Sequence, residues 1–315
     1  MKQYKILASE RFQKPDTLDE NVVIDVIEDL WENQADLVNK AKNYDALIVR
    51  NMTKVDACLL RQLTSIKVIG RLGAGTENIE TDCANQCGIT VVYAPIQNTN
   101  AVAEFCVAQV LNVFRHLPEA INEAKQGVWN RGKYLSSGKE IKNCHVGVIG
   151  FGHIGQSFSQ KMRALGANVS VYNRNAAKVT APFQSVSLVS LLQNSDIISI
   201  HLPGGDATKG FINQENIGLI KKGAYILNSS RGSIIDENAL LQALESEILS
   251  GAMLDVRTVE PGKADVIAQH PNVYPTPHIA AFTQESQTEI SISVVSDILK
   301  VLQGEAPSHP VTISQ

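Results

Sequence analysis

The stretch Val146-Gly-Val-Ile-Gly150-Phe-Gly152-His-Ile-Gly155 decides the fold of this chain of 315 residues. Apolar residues run straight into a G-x-G-x-x-G motif, and a helical pattern follows over residues 154–165. In a strand–turn–helix unit each glycine has its own task. Gly150 permits the tight turn, Gly152 lets a pyrophosphate approach the backbone, and Gly155 lets helix and strand pack closely. Phosphate would then sit on the N–H groups where the helix opens, at His153 and Ile154. The stretch predicts a dinucleotide-binding turn; a glycine-rich turn without a ligand is the plainer alternative.

Moving outward, strands are expected at residues 146–149, 169–172, 197–200, 224–228 and 251–255. Helices lie between them, including 237–244 behind Asp236 as N-cap. Upstream, residues 4–8, 46–50, 66–71 and 90–93 read as strands and 55–63 as a helix, while 20–30 is either a strand and turn or the start of a helix. Strands alternating with helices argue for parallel sheets covered on both faces. Residues 98–126 carry Val102, Phe105, Cys106, Val110, Val113 and Leu117 at steps of three and four, which predicts one long helix or two broken near Pro118. Residues 283–303 read as a last helix.

The bulk numbers narrow the classes. Hydrophobic residues at 44% and charged residues at 19% suit an ordinary globular chain, long enough for one large or two medium domains. A formal net charge of −4 offers no basic surplus for nucleic acid. The five cysteines, Cys58, Cys83, Cys87, Cys106 and Cys144, are an odd number in a long chain and do not suggest a disulfide scaffold. Cys83 and Cys87 have no second Cys or His pair near them, so no metal is expected. No apolar run approaches the roughly 18 residues of a membrane span, and no secretory signal is visible, so a cytoplasmic location without a membrane partner is expected.

From about residue 190 a set of segments recurs in a fixed order. They are Ile200-His-Leu-Pro203, Ile220-Lys-Lys-Gly-Ala-Tyr-Ile-Leu-Asn-Ser-Ser-Arg-Gly232, Gly251-Ala-Met-Leu-Asp-Val256, Glu260-Pro261 and Asn272-Val-Tyr-Pro-Thr-Pro-His-Ile-Ala280. As a set they resemble the D-isomer-specific 2-hydroxyacid dehydrogenases, and the likeness extends upstream to Gly73-Ala-Gly75 and Val49-Arg50. The resemblance implies an α/β fold of two doubly wound parallel-sheet domains with the active site in the cleft between them. Residues 1–98 and 283–315 would form a discontinuous, flavodoxin-like substrate domain, and residues 99–282 a Rossmann cofactor domain.

The implied reaction is hydride transfer between a D-2-hydroxy acid and its 2-keto acid. It needs a fork that holds the carboxylate and polarises the carbonyl, which the resemblance assigns to Arg231. It needs a proton donor to the carbonyl oxygen, assigned to His278. Glu260 would bind the other ring nitrogen, fixing the tautomer and favouring the charged ring. The cofactor would lie along Leu202, Pro203, Ser229, Ser230 and Ala280, and Asp255 would accept a hydrogen bond from the nicotinamide carboxamide. The position that usually holds an acid for the adenosine ribose holds Asn173, followed by Arg174, which favours NADP over NAD, since a carboxylate repels a 2′-phosphate and arginine attracts it. If Arg174 merely stacks on adenine, either cofactor is suited.

Backbone N–H groups of Ala74 and Gly75 match a loop that binds the substrate carboxylate. Arg50 and Arg71 resemble the 3-phosphoglycerate dehydrogenase branch, where the matching arginines help hold the substrate phosphate. The leading substrate is therefore 3-phosphoglycerate or a similar anionic hydroxy acid, with glyoxylate, hydroxypyruvate or a plain 2-keto acid as alternatives. Further alternatives are a nucleotide-sensing corepressor-like binder and an oxidoreductase of the same fold acting on formate or phosphite. The family is usually dimeric through its cofactor domains, so a homodimer is expected. Arg257 departs from the family, which commonly has an aromatic residue after Asp-Val; it would either line the cleft or point to solvent.

Overall fold

The computed structural model describes residues 3–260, 262 and 265–312; Pro261 of the Glu260-Pro261 pair lies outside the described residues. The chain divides into two compact units, Met1–Asn98 with Phe282–Gln315, and Thr99–Ala281.

The first unit is built on β1 (Tyr4–Ala8), β2 (Val22–Val26), β3 (Ala46–Val49), β4 (Val68–Arg71) and β5 (Thr90–Tyr93), all parallel, in the order β2-β1-β3-β4-β5. That order is the flavodoxin-like one. All four residues of β3 are buried, as a strand covered on both faces requires. The helix Gln284–Gln303 packs across β4 and β5. Its Val294 and Ile298 are fully buried, a contribution of roughly 1.5–3 kcal/mol each. They lie so close to β4 that a Cβ on Gly70 would come within 2.6 Å of both side chains, which explains a glycine inside that strand. Thr283 caps the helix by accepting from Ser286 N, and Gly304 ends it at φ 84°.

The second unit carries β6 (His145–Ile149), β7 (Asn168–Tyr172), β8 (Gln184–Ser185), β9 (Ile197–Ile200), β10 (Ala224–Asn228), β11 (Leu249–Leu254) and β12 (Val273–Pro275), again all parallel, in the order β12-β11-β10-β9-β6-β7-β8. Strand order reverses between β6 and β9, so the glycine-rich turn after β6 opens at the switch point, where open α/β sheets take ligands. The helix Thr99–Phe114 covers the helix His153–Ala164.

Several boundaries differ from the sequence reading. Residues 98–126 form two helices, Thr99–Phe114 and Leu117–Lys125. The break falls at His116, whose φ is 52°, and Pro118 sits in the first turn of the second helix, where a missing N–H is tolerated. The helix expected over 55–63 is the single turn Ala57–Leu60, capped by Asp56. Residues 20–30 resolve as β2 and a turn. The short edge strands β8 and β12 escaped the sequence reading, since two or three residues carry no periodicity. Among the described residues, no helix is long and apolar enough to cross a membrane, and no group of three or more His, Cys, Asp or Glu side chains is placed to hold a metal ion.

Candidate active site

The glycine-rich turn is shaped by three contacts. Gly150, at φ 95°, lies so near the next strand that a Cβ would come 2.4 Å from the His201 carbonyl oxygen. A Cβ on Gly155 would meet the Gly150 carbonyl at 2.2 Å, so helix and turn close only around hydrogen. Gly152 differs: a Cβ there would meet nothing within 4 Å. Open space at that glycine, beside a helix N-terminus with no side-chain cap, is a cradle that fits a phosphate group. His153 and Ile154 form the first turn there, and Leu202 and Pro203 follow β9 at the same sheet edge. Burial pushes the His201 imidazole down to about 3, and its Nε2 lies 2.8 Å from Ser199 Oγ, so a neutral ring backs the turn. At the end of β7, Asn173 Oδ1 accepts from Phe151 N at 3.3 Å and its Nδ2 donates to Asn175 O at 2.8 Å. Asn173 thus ties the turn to the next loop, and Arg174 beside it is exposed.

The acid–histidine–arginine set assembles on loops that follow β10, β11 and β12. After β10, Asn228 accepts from Ser230 N at 3.0 Å and donates to Arg231 O at 2.8 Å, fixing the turn on which Arg231 stands. Ser230 Oγ donates to Ile200 O at 2.7 Å, and Ser229 Oγ lies 3.0 Å from Cys106 Sγ, a thiol that burial pushes up to about 12. His278 Nδ1 sits 2.6 Å from Glu260 Oε2, and Glu260 Oε1 accepts from Arg257 N at 3.0 Å. Burial alone would raise the Glu260 carboxyl. The His278 hydrogen bond and charge, the Arg257 N–H and the Arg231 charge outweigh it and hold Glu260 below the usual carboxylate range. The structure therefore brings Arg231, Glu260 and His278 into one electrostatic neighbourhood, in which Glu260 is held as the carboxylate.

Two features of this set were not legible in the sequence. His278 adopts φ 56°, a left-handed conformation that costs a non-glycine residue on the order of 1–3 kcal/mol and marks sites where geometry outranks stability. Its N–H donates to Asp255 O at 2.9 Å. The strain is held by Asp255, just past the end of β11 and 2% exposed. Its carboxylate accepts from Thr276 Oγ1 at 2.7 Å, Ile279 N at 2.9 Å and Ala280 N at 2.8 Å. Asp255, read from the sequence as a cofactor ligand, is thus a latch around the His278 loop, and most of its acceptor capacity is filled from within the chain. The advance signal was an acid at the end of an otherwise apolar strand. Of the two readings of Arg257, the one that points it to solvent does not hold. Its side chain is 8% exposed and pairs with Asp265 and, at 3.5 Å, with Glu237.

In the first unit, the register pairs Val49 with Arg71, so Arg50 and Arg71 stand at the carboxyl edges of neighbouring strands. Their guanidinium groups bond to different partners. Arg71 folds over its own loop, where its Nη1 donates to Leu72 O at 2.9 Å and lies 1.9 Å from where a Cβ on Gly73 would be; Gly73 has φ 134°, a conformation in which any side chain is strained. Ala74 and Gly75 follow in that loop, both half-buried. Arg50 reaches into a groove of about 710 Å³ lined by Arg11, Phe12, Trp31, Phe282 and Gln287. Its guanidinium donates to Arg11 O and Gln287 Oε1 and lies 4.9 Å from the Phe282 ring centroid. Burial pulls Arg50 below its ordinary value, opposed by Glu10.

A doubly wound sheet with a glycine cradle at its switch point, and a histidine–carboxylate pair beside an arginine, defines a protein of the dinucleotide-binding class. The model of the D-isomer specific 2-hydroxyacid dehydrogenase NAD binding domain matches residues 107–280, and the chain belongs to that family. D-3-phosphoglycerate dehydrogenase of Bacillus subtilis (strain 168) is 37% identical over 306 residues, covering 96% of this chain and 57% of that protein. The chain spans about half the length of the curated relatives it matches. A crystal structure of a Thermus thermophilus protein superposes with a TM-score of 0.90 at 28% identity, over 98% of this chain and 100% of that one. A glyoxylate reductase from Paecilomyes thermophila gives 0.86 at 26% identity, over 99% of each chain.

Proposed function

We propose that this chain interconverts a D-2-hydroxy acid and its 2-keto acid, with NADP or NAD as the hydride carrier. The observation that carries the reading is the 2.6 Å contact between His278 Nδ1 and Glu260, next to Arg231. A reduced nicotinamide, when bound, would supply the hydride for the carbonyl carbon. Glu260, ionised, accepts a hydrogen bond from the Nδ1–H and so leaves Nε2 as the nitrogen that exchanges a proton with the substrate oxygen. In reduction the protonated ring gives that proton to the carbonyl oxygen; in oxidation the neutral ring takes it from the hydroxyl. Arg231 holds the carboxylate and withdraws charge from the carbonyl. In this reading the second unit is the cofactor domain and the first the substrate domain.

The leading substrate is 3-phosphoglycerate or a similar anionic hydroxy acid. Arg50 supports this: it is half-buried, and among the described residues its guanidinium bonds to neutral oxygens and an aromatic face, with Glu10 acting on it through charge but not as an ion-pair partner. An anionic group would pair with that half-buried charge. For the cofactor, Asn173 supplies no carboxylate and is already bonded to the turn, which favours NADP. A homodimer is supported by the second unit's surface. The helix Leu117–Lys125 buries none of its residues, and Ile121, Trp129 and Leu135 are 52%, 83% and 88% exposed, an apolar load that a second copy would cover. The test is absorbance at the nicotinamide band with NADPH or NADH against glyoxylate, hydroxypyruvate, pyruvate, oxaloacetate, sulfopyruvate and phosphohydroxypyruvate. Turnover that His278→Ala abolishes supports the reading; tight cofactor binding without turnover of any keto acid counts against it.

A further inference from the structure

Arg257 is a charged side chain packed deeply beside the site, and the proposed chemistry does not use it. Its Nε lies 3.5 Å from Glu237 Oε1, and its Nη2 donates to Asp265. Each partner belongs to a different element. Glu237 opens the helix Glu237–Glu245 and also accepts from Thr258 N at 2.9 Å. Asp265 caps the short helix Val266–Gln269 by accepting from Ala268 N at 2.9 Å. The guanidinium fork therefore ties the chain after β11 to two separate supports. Burial disfavours its charge, but the two carboxylates outweigh that and keep it ionised.

The main chain of the same residue faces the site. Its N–H donates to Glu260 Oε1 at 3.0 Å, while Glu260 Oε2 holds His278. Its carbonyl lies against Gly232: a Cβ there would come 1.9 Å from the Arg257 carbonyl carbon, so the turn bearing Arg231 rests directly on this peptide. One residue thus touches the mountings of both Glu260 and Arg231, and its side chain fixes where that peptide sits.

We infer that Arg257 is a positioning residue, whose paired side chain anchors residues 255–260 so that its backbone presents Glu260 to His278 and supports the Arg231 turn. Its consequence for turnover rests on the dehydrogenase reading; its consequence for the His278–Glu260 pair does not.

The test follows the His278 ring by NMR in the full chain, with its resonance assigned by loss in His278→Gln. Wild type, Glu260→Gln, Arg257→Gln and Arg257→Lys are titrated. The charged groups bearing on the ring are Glu260 at Nδ1, Arg231 beside Glu260, and Asp255, which holds the following backbone. A positional role predicts that in Arg257→Gln the ring loses its proton at lower pH than in wild type, in the same direction as Glu260→Gln and by less. A role through charge alone predicts the opposite sign, because a cation has been removed. Arg257→Lys keeps the charge and loses the fork, so a positional role gives a smaller downward shift and a charge role gives none; this variant decides the matter if Arg257→Gln does not fold. In keto-acid reduction, Arg257→Gln should lower kcat about tenfold, with the KM for the cofactor little changed. An unmoved or upward-moving titration overturns the inference. Absence of turnover in wild type counts against the dehydrogenase reading and leaves the NMR comparison to decide on Arg257.

Discussion

Arg231 and Arg50 both stand at the carboxyl edge of a parallel sheet, yet the protein holds them by different means. The Arg231 neighbourhood is over-determined. Asn228 clamps its turn from both sides, Gly232 is pressed onto the Arg257 peptide, and the neighbouring His278 is kept in a left-handed conformation by Asp255. The Arg50 turn is fixed as well, by the buried Glu10 carboxylate, which accepts from Arg50 N, Met52 N and Thr53 N, but the Arg50 side chain is lightly held: two hydrogen bonds to neutral oxygens, one aromatic face and an open groove. The contrast follows the demands of the proposed reaction. Proton and hydride transfer tolerate little misplacement, whereas recognition of a substrate tail needs charge in roughly the right place.

The comparison can be broken at several points. The largest effect is expected from His278→Ala, which should reduce kcat about 10²–10⁴-fold in a steady-state assay while cofactor binding, followed by nicotinamide fluorescence, is retained. If Ala lost less than a few-fold, the tightly held set would not be the proton-transfer site. Arg50→Ala should raise the KM for an anionic substrate by about 10–100-fold and change kcat far less, the loss of one charged hydrogen-bonded contact. An equal fall in kcat would place Arg50 with the over-determined residues instead.

Stability sharpens the contrast within the first unit, which has a tightly held acid of its own. Asp297, 1% exposed, accepts from Ser308 N, His309 N and the His309 ring, with Lys300 close by. Burial would raise its carboxyl, but these partners hold it below the usual range. Because the folded value is depressed, the stabilisation is complete above the ordinary carboxylate value and is lost as pH falls through the lower folded value. Asp297→Asn should therefore cost about 2 kcal/mol in denaturant unfolding at neutral pH, and the difference from wild type should close in strong acid. The smallest effect is expected at Arg174: replacing it with Ala should weaken NADP binding about tenfold by titration calorimetry and leave NAD binding nearly unchanged. Equal losses for both would mean that Arg174 contacts the adenine and not the 2′-phosphate.

How much of this was legible beforehand depends on the range of the interaction. The glycine-rich turn announced itself because its three glycines answer local demands, a turn, a ligand approach and a helix packed on a strand, and all three fall within six residues. Arg231, Glu260 and His278 were found through their resemblance to a family motif, since nothing local sets a histidine after proline apart from a structural one. The hold of Asp255 on the His278 loop was not visible, because its three internal partners lie 21 to 25 residues away. The role of Arg257 stayed open, because its carboxylates come from two other elements.

The sequence by itself determined the parallel α/β class, the placement of the dinucleotide turn and the residues able to carry the chemistry. These rest on periodicity, on glycine's backbone freedom and on the donor and acceptor types of side chains, all properties of short segments. The tertiary structure alone decided that Glu260 grips His278, that Asp255 holds the histidine loop in a left-handed bend, and that Arg257 bears on both mountings at once. Those relations join residues apart in the chain, and they exist only after the sheet has assembled and placed its loops side by side.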